Sequence, residues 1–528
     1  MSVKVTFHGA CGVVTGSCFE VRSERAGILI DCGMFQGTKS IKELNYGPFP
    51  FSPQSIHALL LTHAHIDHCG LTPKLMNAGF RGPIVATRPT ADLLAYVLPD
   101  SGYIQETEVL RLNRRNHQRG RPEVEPIYTR TDGEACAKHV TPRPINKWFE
   151  VAAGMRARYW DAGHILGSAS IELEVKDPMD KTGKPLQLLF SGDIGTGDNM
   201  LQKPPQAPAG LDYLFVESTY GDRLRTRPTL AQRCAALRKV IKEGIQAGGI
   251  ILMPAFAVER TQQLLFDLDH LFDTGQLPSI PVFVDSPLAT KATRVFSKYI
   301  RLNKTVEMAA PFERPNLRFI EEADVSRKLG RLHGGAIIIA GSGMCDAGRI
   351  RHHLKNHLSE PTTTVVLVGY QAPGTLGRLL SQSVPMVRIH GEEISVKARI
   401  RMLDEYSGHA DQNGLVKWVK DRLPIRKDIF VVHGEEGARS AMASALETAG
   451  LPGARIHQPT MGETVRLTSK GAKTERIRAR VDVAATANAD WHNMYAETVL
   501  ALRQGLDTAK DEKTRRKLLN RVRAALRA

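Results

Sequence analysis

The sequence predicts an α/β protein, and three observations carry that prediction. Short apolar runs of buried-strand length, each bounded by turn residues, recur along the chain. Amphipathic periodicity fills several of the gaps between them. The composition, 42% hydrophobic and 24% charged over 528 residues, is that of a folded chain with room for about two to four domains, and excludes collagenous, coiled-coil and mucin-like classes.

In chain order the strand candidates are GILIDCG (27–33), HALLLTH (57–63), PIVAT (83–87), LQLLFSGD (186–193), DYLFVEST (212–219), GIILMPA (249–255), PVFVDSP (281–287), GAIIIAGSG (335–343), TVVLVGY (364–370) and DIFVVHG (428–434). Helical spacing appears in TLAQRCAALRKVIKEGIQA (229–247) and ERTQQLLFDLDHLFD (259–273), so βα units recur from Leu211 to about Gln371. KPPQAPAG (203–210) reads as a connection between two lobes. Beyond it, Trp491, Tyr495, Val499, Leu502 and Leu506 follow one helical stripe, and Leu518, Leu519, Val522 and Leu526 a second, beside Arg515, Arg516, Lys517, Arg521, Arg523 and Arg527. Two amphipathic tail helices are expected, docked by their apolar faces on the body of the protein or a partner subunit, with a basic face left available to a polyanion.

Charge points to a polyanionic partner. Lys plus Arg minus Asp plus Glu is 71 − 55 = +16, and the sequence pI is about 9.5. Residues 466–528 hold 15 basic and 7 acidic side chains, half of the excess in one short segment. Seven dispersed cysteines (Cys11, Cys18, Cys32, Cys69, Cys136, Cys234 and Cys345), none in C-x-x-C, suggest neither a disulfide framework nor a thiolate metal site, and read as half-buried and reduced. No run approaches the roughly 18 apolar residues of a spanning helix, and MSVKVTFHGACGVV lacks a signal-peptide layout. No membrane and a cytoplasmic location are the expectations.

The chain has no G-x-x-x-x-G-K-[ST] phosphate loop, no G-x-S-x-G elbow and no H-E-x-x-H helix. Its densest chemistry is Thr62-His63-Ala64-His65-Ile66-Asp67-His68, directly after an apolar run. A lone histidine is usually a satisfied surface or core residue. Four ligand-type groups in six positions at a strand end are different, because burying them without a cation strands polar groups at high cost.

The pattern H-x-H-x-D-H resembles the signature of the metallo-β-lactamase superfamily. Asp31 in LIDCG, His164 in DAGHILGSAS and Asp193 in FSGDIG match its other motifs in order and spacing. Glu217 in VESTYGD, His409 in YSGHAD and His433 in VVHGEE match the additional motifs of the β-CASP branch, whose members are nucleases. The likeness extends over about residues 1–460. It is greatest to bacterial and archaeal relatives of the eukaryotic pre-mRNA 3′-end cleavage endonuclease, with support from GACGVVTGS, PAFAVERTQ and GSGMCDAGRIRHHL.

The resemblance implies two Zn²⁺ ions. One would be held by His63, His65 and His164, the other by Asp67, His68 and His433, with Asp193 bridging and Asp31 orienting from behind. It implies hydrolysis of single-stranded RNA by a metal-activated hydroxide, leaving a 5′-phosphate and a 3′-hydroxyl, in RNA processing or decay. Asp67, His409 and Glu217 are the catalytic candidates, with His409 as general acid and Glu217 holding its tautomer and charge. His433 falls on the RNA-directed side of the branch. Gly408 departs from the alanine that family members commonly carry.

Arg260 is a candidate for phosphate contact, against the plainer reading of a solvated helix-start side chain, and Ser342 and Gly343 are candidates for a loop that a phosphate approaches closely. RIRHHLKNHL (349–358) is a basic helix that lines a channel or faces solvent. The implied architecture is an αββα metallo-β-lactamase lobe (1–211 with 395–465), an inserted doubly wound β-CASP lobe (212–394) and a basic helical tail (466–528). Two other classes stay open: a small-molecule metallohydrolase such as a lactonase or thioesterase, and an inactive RNA-binding scaffold. A homo-oligomer is also left open.

Overall fold

The computed structural model describes residues 3–176, 184–197, 203–225, 229–302, 312–369, 371, 374–406, 408–468, 470–477, 502, 506, 509 and 511–525. Each of the ten apolar runs forms a strand, and both predicted helices form, as Leu230–Gln246 and Arg260–Asp273. Thr229 caps the first by a capping box with Gln232, which sets its start.

Among the described residues, eight strands make a first sheet in the order Gly471–Ile477, Glu463–Thr468, Lys4–Phe7, Phe19–Arg22, Gly27–Ile30, Ala58–Leu60, Ile84–Thr87 and Val140–Arg143. Seven make a second: Ile456–His457, Ile429–Val432, Tyr213–Glu217, Leu186–Phe190, Ala169–Val175, Met155–Asp161 and Phe149–Ala152. The two pack face to face over one core, to which Val5, Phe7, Ile28 and Leu60 come from the first sheet and Tyr159, Phe190, Phe215 and Phe430 from the second. Phe215 stacks on Phe190 at 4.3 Å and on Phe430 at 4.9 Å, and Phe7 meets it from the opposite sheet at 6.0 Å. Each such ring pair adds about 1 kcal/mol beyond the area it buries.

The third sheet is wholly parallel: Leu317–Phe319, Val282–Val284, Ile337–Ala340, Ile251–Pro254, Thr364–Val368 and Arg399–Leu403. Its strand order reverses between consecutive βα units, which is the doubly wound pattern. Strand membership puts the lobe junctions after Glu217 and after Leu403, where sequence reading set 211 and 394. Tyr213–Glu217 is an apolar run like those of the third sheet, but it pairs in parallel with Leu186–Phe190 and Ile429–Val432 of the second. The Pro-rich segment 203–210 therefore does not join lobes. It lies against the first lobe, where Gln206 N–H donates to Asp161 O at 2.7 Å.

All seven cysteines are free and fully buried rather than half-buried, Cys18 being the most accessible at 7%. The first expected tail helix, around Trp491 and Val499, lies outside the described residues. The second is Glu512–Ala525, which buries none of its side chains, with Leu519 42% exposed. No described helix is long and apolar enough to cross a membrane.

A buried ion pair inside the inserted lobe receives a hydrogen bond from Tyr406, beyond the second junction. Arg233 donates to Asp267 at 2.6 and 2.9 Å, and the Tyr406 hydroxyl donates to the same carboxylate at 2.7 Å. Asp267 is fully buried and Arg233 nearly so. Removing one partner strands a buried charge, so Asp267→Ala is expected to lower stability by about 3–5 kcal/mol in denaturant titration. A loss under about 1 kcal/mol would mean that water reaches the pair.

Candidate metal centre

Strand ends deliver the donors. The strand Ala58–Leu60 gives way to a loop and a one-turn helix, Ile66–Cys69, whose first turn closes as His65 O accepts from His68 N–H at 3.0 Å. That break puts His63, His65, Asp67 and His68 at one end of the first sheet. His164 follows Met155–Asp161, Asp193 follows Leu186–Phe190 and His433 follows Ile429–Val432, all at the same edge of the second sheet.

The seven side chains form two groups about Asp193. His65 Nδ1 lies 3.1 Å from His63 Nε2 and 3.3 Å from His164 Nε2. Asp193 Oδ2 lies 3.5 Å from each of those Nε2 atoms. On the other side, His68 Nε2 and His433 Nε2 are 2.9 Å apart and face Asp193 Oδ1 at 3.2 and 3.6 Å. Asp67 Oδ2 closes this group at 3.9 Å from His68 and 3.7 Å from His433.

These donors fit metal ions. Four nitrogens and oxygens at the corners of a tetrahedron with bonds of about 2.05 Å stand roughly 3.3 Å apart, and the first group spans 3.1–3.5 Å. Asp193 Oδ1 is buried with no hydrogen bond, although two imidazole nitrogens face it. An orphaned carboxylate oxygen between nitrogens is costly unless a cation satisfies it.

The rear of three imidazoles is held so that the other nitrogen faces the group. His164 Nδ1–H donates to Gly408 O at 3.0 Å, His68 Nδ1 meets Asp31 Oδ2 at 2.6 Å, and His433 Nδ1 lies 3.1 Å from Thr219 Oγ1. Asp31 is buried and also accepts from Thr62 N–H at 2.8 Å and Ser17 O–H at 3.2 Å, so it orients His68 rather than forming a surface turn. Asp31 and His433 both have positive φ, 60° and 50°. Such backbone costs about 1–3 kcal/mol per residue and persists where surrounding contacts impose it.

Burial drives His63, His65 and His164 towards the neutral form, His65 to about 4. Neutral imidazoles are what a metal requires. For His68 burial works the same way, but the Asp193 and Asp31 carboxylates outweigh it and hold the ring well above its usual range. Burial opposes charge on Asp193 too, and the facing imidazoles, His433 and His68 first, bring it well below the normal carboxylate range.

His409 stands beside the first group and outside it. Its Nδ1 meets Glu217 Oε1 at 3.1 Å, its Nε2 lies 3.8 Å from Asp193 Oδ2, and its ring packs on His164 at 4.4 Å. Burial lowers its affinity for a proton, and Glu217 then Asp193 raise it by more, for a net upward shift. Glu217 is fully buried and also accepts from Ile194 N–H at 2.6 Å, and it lies within reach of Asp193 and His433. The Asp67 and His409 side chains are 22% and 17% exposed, against at most 5% for His63, His68, His164, Asp193 and His433. A substrate would meet these two and the half-buried His65 first.

The phosphate candidates lie at the wall. Arg260 is not solvated: it is 7% exposed, burial brings it down to about 10, and it donates to Gln263. A Cβ at Gly408 would come within 2.9 Å of its guanidinium and 3.1 Å of His164, so glycine admits the arginine here. Gly343 packs under Phe256, whose ring lies 6.4 Å from that of His65. Ser342 Oγ accepts from Ala347 N–H at 3.2 Å.

Sequence reasoning missed Thr62, Thr219, Phe256 and Glu259. Thr62 and Thr219 sit next to motif residues, and a hydroxyl ending an apolar run was their signal. Glu259 is buried at φ 72° and accepts from Leu166 N–H at 3.1 Å, joining the start of Arg260–Asp273 to the His164 loop. Nothing local in the sequence marks it.

Comparison with known proteins bears on this geometry. The chain matches the Metallo-beta-lactamase superfamily over residues 11–133, the Beta-Casp domain over 261–380 and the Zn-dependent metallo-hydrolase RNA specificity domain over 393–457. It is 34% identical over 472 residues to Ribonuclease TTHA0252 of Thermus thermophilus, covering 88% of this chain and all of that protein. It is 31% identical over 435 residues to an RNase J-like protein of Methanocaldococcus jannaschii (82% of this chain, 93% of that one). Transcription termination factor FttA of Methanosarcina mazei is 30% identical over 458 residues (84% and 69%).

Proposed function

The chain belongs to the metallo-β-lactamase superfamily, in the branch that carries a Beta-Casp domain, and from that membership we propose that it is a metal-dependent ribonuclease. Its substrate is single-stranded RNA, its metals are two Zn²⁺ ions, and its products carry a 5′-phosphate and a 3′-hydroxyl. The observation that carries this reading is the set of seven donors divided about Asp193, with the His409–Glu217 pair beside it. The residues matched by the RNA specificity domain include both His409 and His433. The five imidazoles among the donors favour zinc over magnesium.

When bound, the metals supply an acidified water and neutralise charge on the phosphoryl oxygens. The chain's own residues do the rest. His63, His65, His164 and Asp193 Oδ2 make one binding set; Asp67, His68, His433 and Asp193 Oδ1 make the other. Asp31, Thr219 and Gly408 O fix the rings. His409, kept protonated against burial by Glu217, presents Nε2 to the leaving 3′-oxygen and gives it the proton. A single strand, whose phosphates and bases are splayed apart, offers both to such a site, whereas a duplex hides its bases.

A lactonase or thioesterase requires neither His409 nor an inserted lobe, and a scaffold has no need of a complete donor set. Metal content and turnover of an end-labelled single-stranded RNA should be measured against a panel of lactones and thioesters. RNA cleavage at two zinc per chain, with phosphatase-sensitive 5′ ends on the products, is expected. Turnover of a lactone or thioester with intact RNA would overturn the proposal.

A further inference from the structure

Beyond the metal centre, the helix Arg88–Gln118 runs on as a basic arm. Residues 109–122, VLRLNRRNHQRGRP, hold Arg111, Arg114, Arg115, Arg119 and Arg121 and no acidic side chain. All five arginines are exposed, as are Leu110 at 62% and Tyr103 at 55%. Arg111, Arg115 and Arg119 recur at four-residue spacing, about 6 Å apart along one side of the arm.

The arm is a built element. Asn113 Nδ2 donates to Val124 O at 2.9 Å, and Val124 N–H returns a bond to Asn113 Oδ1 at 3.0 Å. Asn116 Nδ2 donates to Pro122 O at 3.0 Å. Gly120, at φ 61°, ends the helix so that Arg121 N–H reaches Asn116 O at 2.9 Å. His117 pairs with Glu123 at 2.5 Å, and among the described residues none of the five arginines takes part in an ion pair. Like charges held this close on a rigid element repel one another, and an anion relieves them.

A second basic group from the other lobe meets the base of the arm. The helix Ile350–His357 buries Ile350, His353, Leu354 and His357, which turns Arg351, His352 and Lys355 outward. The His352 ring lies 4.7 Å from that of His390. Burial first, then Arg351, His352 and Arg111, push His390 down to about 4. Lys42, paired with Asp346 at 3.4 Å, links this group to the turn that holds Ser342 and Gly343. Arg351 and Lys42, together with the carboxylates of Glu108 and Asp346, thus lie between that turn and the base of the arm, and the unpaired cations here, among the described residues, are those of the arm itself.

We infer that the arm 109–122, with Arg351 at its base, is a docking ridge for the phosphate backbone of an RNA strand outside the metal centre. The inference rests on the ribonuclease reading above. RNA fits better than a protein or lipid surface because the cations form a row along one element and Tyr103 offers an exposed ring on which a base can stack.

The test uses the metal-loaded full chain and uncleavable phosphorothioate RNAs of two lengths. The variant carries Arg114→Gln, Arg115→Gln, Arg119→Gln and Arg121→Gln. With RNAs of about twenty and about four nucleotides, the long-to-short affinity ratio should fall at least about tenfold, and the salt slope for the long RNA should flatten by up to roughly 3, at ~0.7 per lost phosphate contact. Lysine at the same four positions should keep most of the affinity, since phosphate neutralisation needs the charge. Arg119→Gln with Arg121→Gln, both beyond the helix, gives half the effect with no helical residue altered. An unchanged ratio and slope in a protein that still cleaves RNA would overturn the ridge alone and leave a protein partner for the arm. Equal loss in the lysine variant would also overturn it. Wild-type protein that binds neither RNA would overturn the ridge and the ribonuclease reading together.

Discussion

Asp193→Ala is expected to cut RNA turnover by at least about ten-thousandfold, which is about 5.4 kcal/mol at 1.36 kcal/mol per tenfold. Among the described residues no other side chain gives an oxygen to each group: Oδ2 stands 3.5 Å from His63 and His164, and Oδ1 stands 3.2 Å from His68. Without it both donor sets lose a corner and their shared charge, so metal content by mass spectrometry should fall below one ion per chain. Asp67→Ala should also abolish cleavage, with loss confined to the ion beside His68 and His433. A folded Asp193→Ala protein turning over RNA at the wild-type rate in chelator-treated buffer would end the two-metal account.

His409→Ala should reduce turnover by about a hundredfold to ten-thousandfold, the range of a general acid, and retain both metals. The prediction follows from its place: Nδ1 is taken by Glu217 at 3.1 Å and the ring sits outside both donor sets. A phosphodiester with an activated leaving group needs little protonation, so wild type and variant should converge on it. If the variant loses a metal instead, His409 is a ligand. If the deficit persists unchanged on the activated substrate, the acid role is wrong.

The part of this centre that was legible in the sequence is the part written in contiguous motifs. His63, His65, Asp67 and His68 fall together because one apolar strand stops and a helix starts. His164, Asp193 and His433 each follow a strand recognisable by its apolar run or, for Met155–Asp161, by the motif after it. What was not legible depends on contacts between segments far apart in the chain. Glu259 gains its meaning from Leu166, and Arg260 from the gap left by Gly408, 148 positions on. The lobe assignment of Tyr213–Glu217 was hidden for a related reason, since a fully buried parallel strand looks the same whichever sheet receives it. The helix Arg88–Gln118 carries Pro99 within it and a polar, arginine-rich second half, so neither periodicity nor apolar length announced it.

The discontinuity of the first lobe governs when the enzyme can act during its own synthesis. Lys4–Phe7 is flanked in its sheet by Phe19–Arg22 and by Glu463–Thr468, and His433 joins a ligand group begun at Asp67. Six of the seven donors leave the ribosome early, but the seventh and the proton donor His409 come only after the whole inserted lobe has been translated. If the proposed donor set is the active one, a nascent chain would be catalytically silent next to the messenger that encodes it. The N-terminal strand likewise waits for a C-terminal neighbour, a long-range closure that slows folding. Premature termination anywhere before residue 433 yields an incomplete donor set rather than an unregulated nuclease.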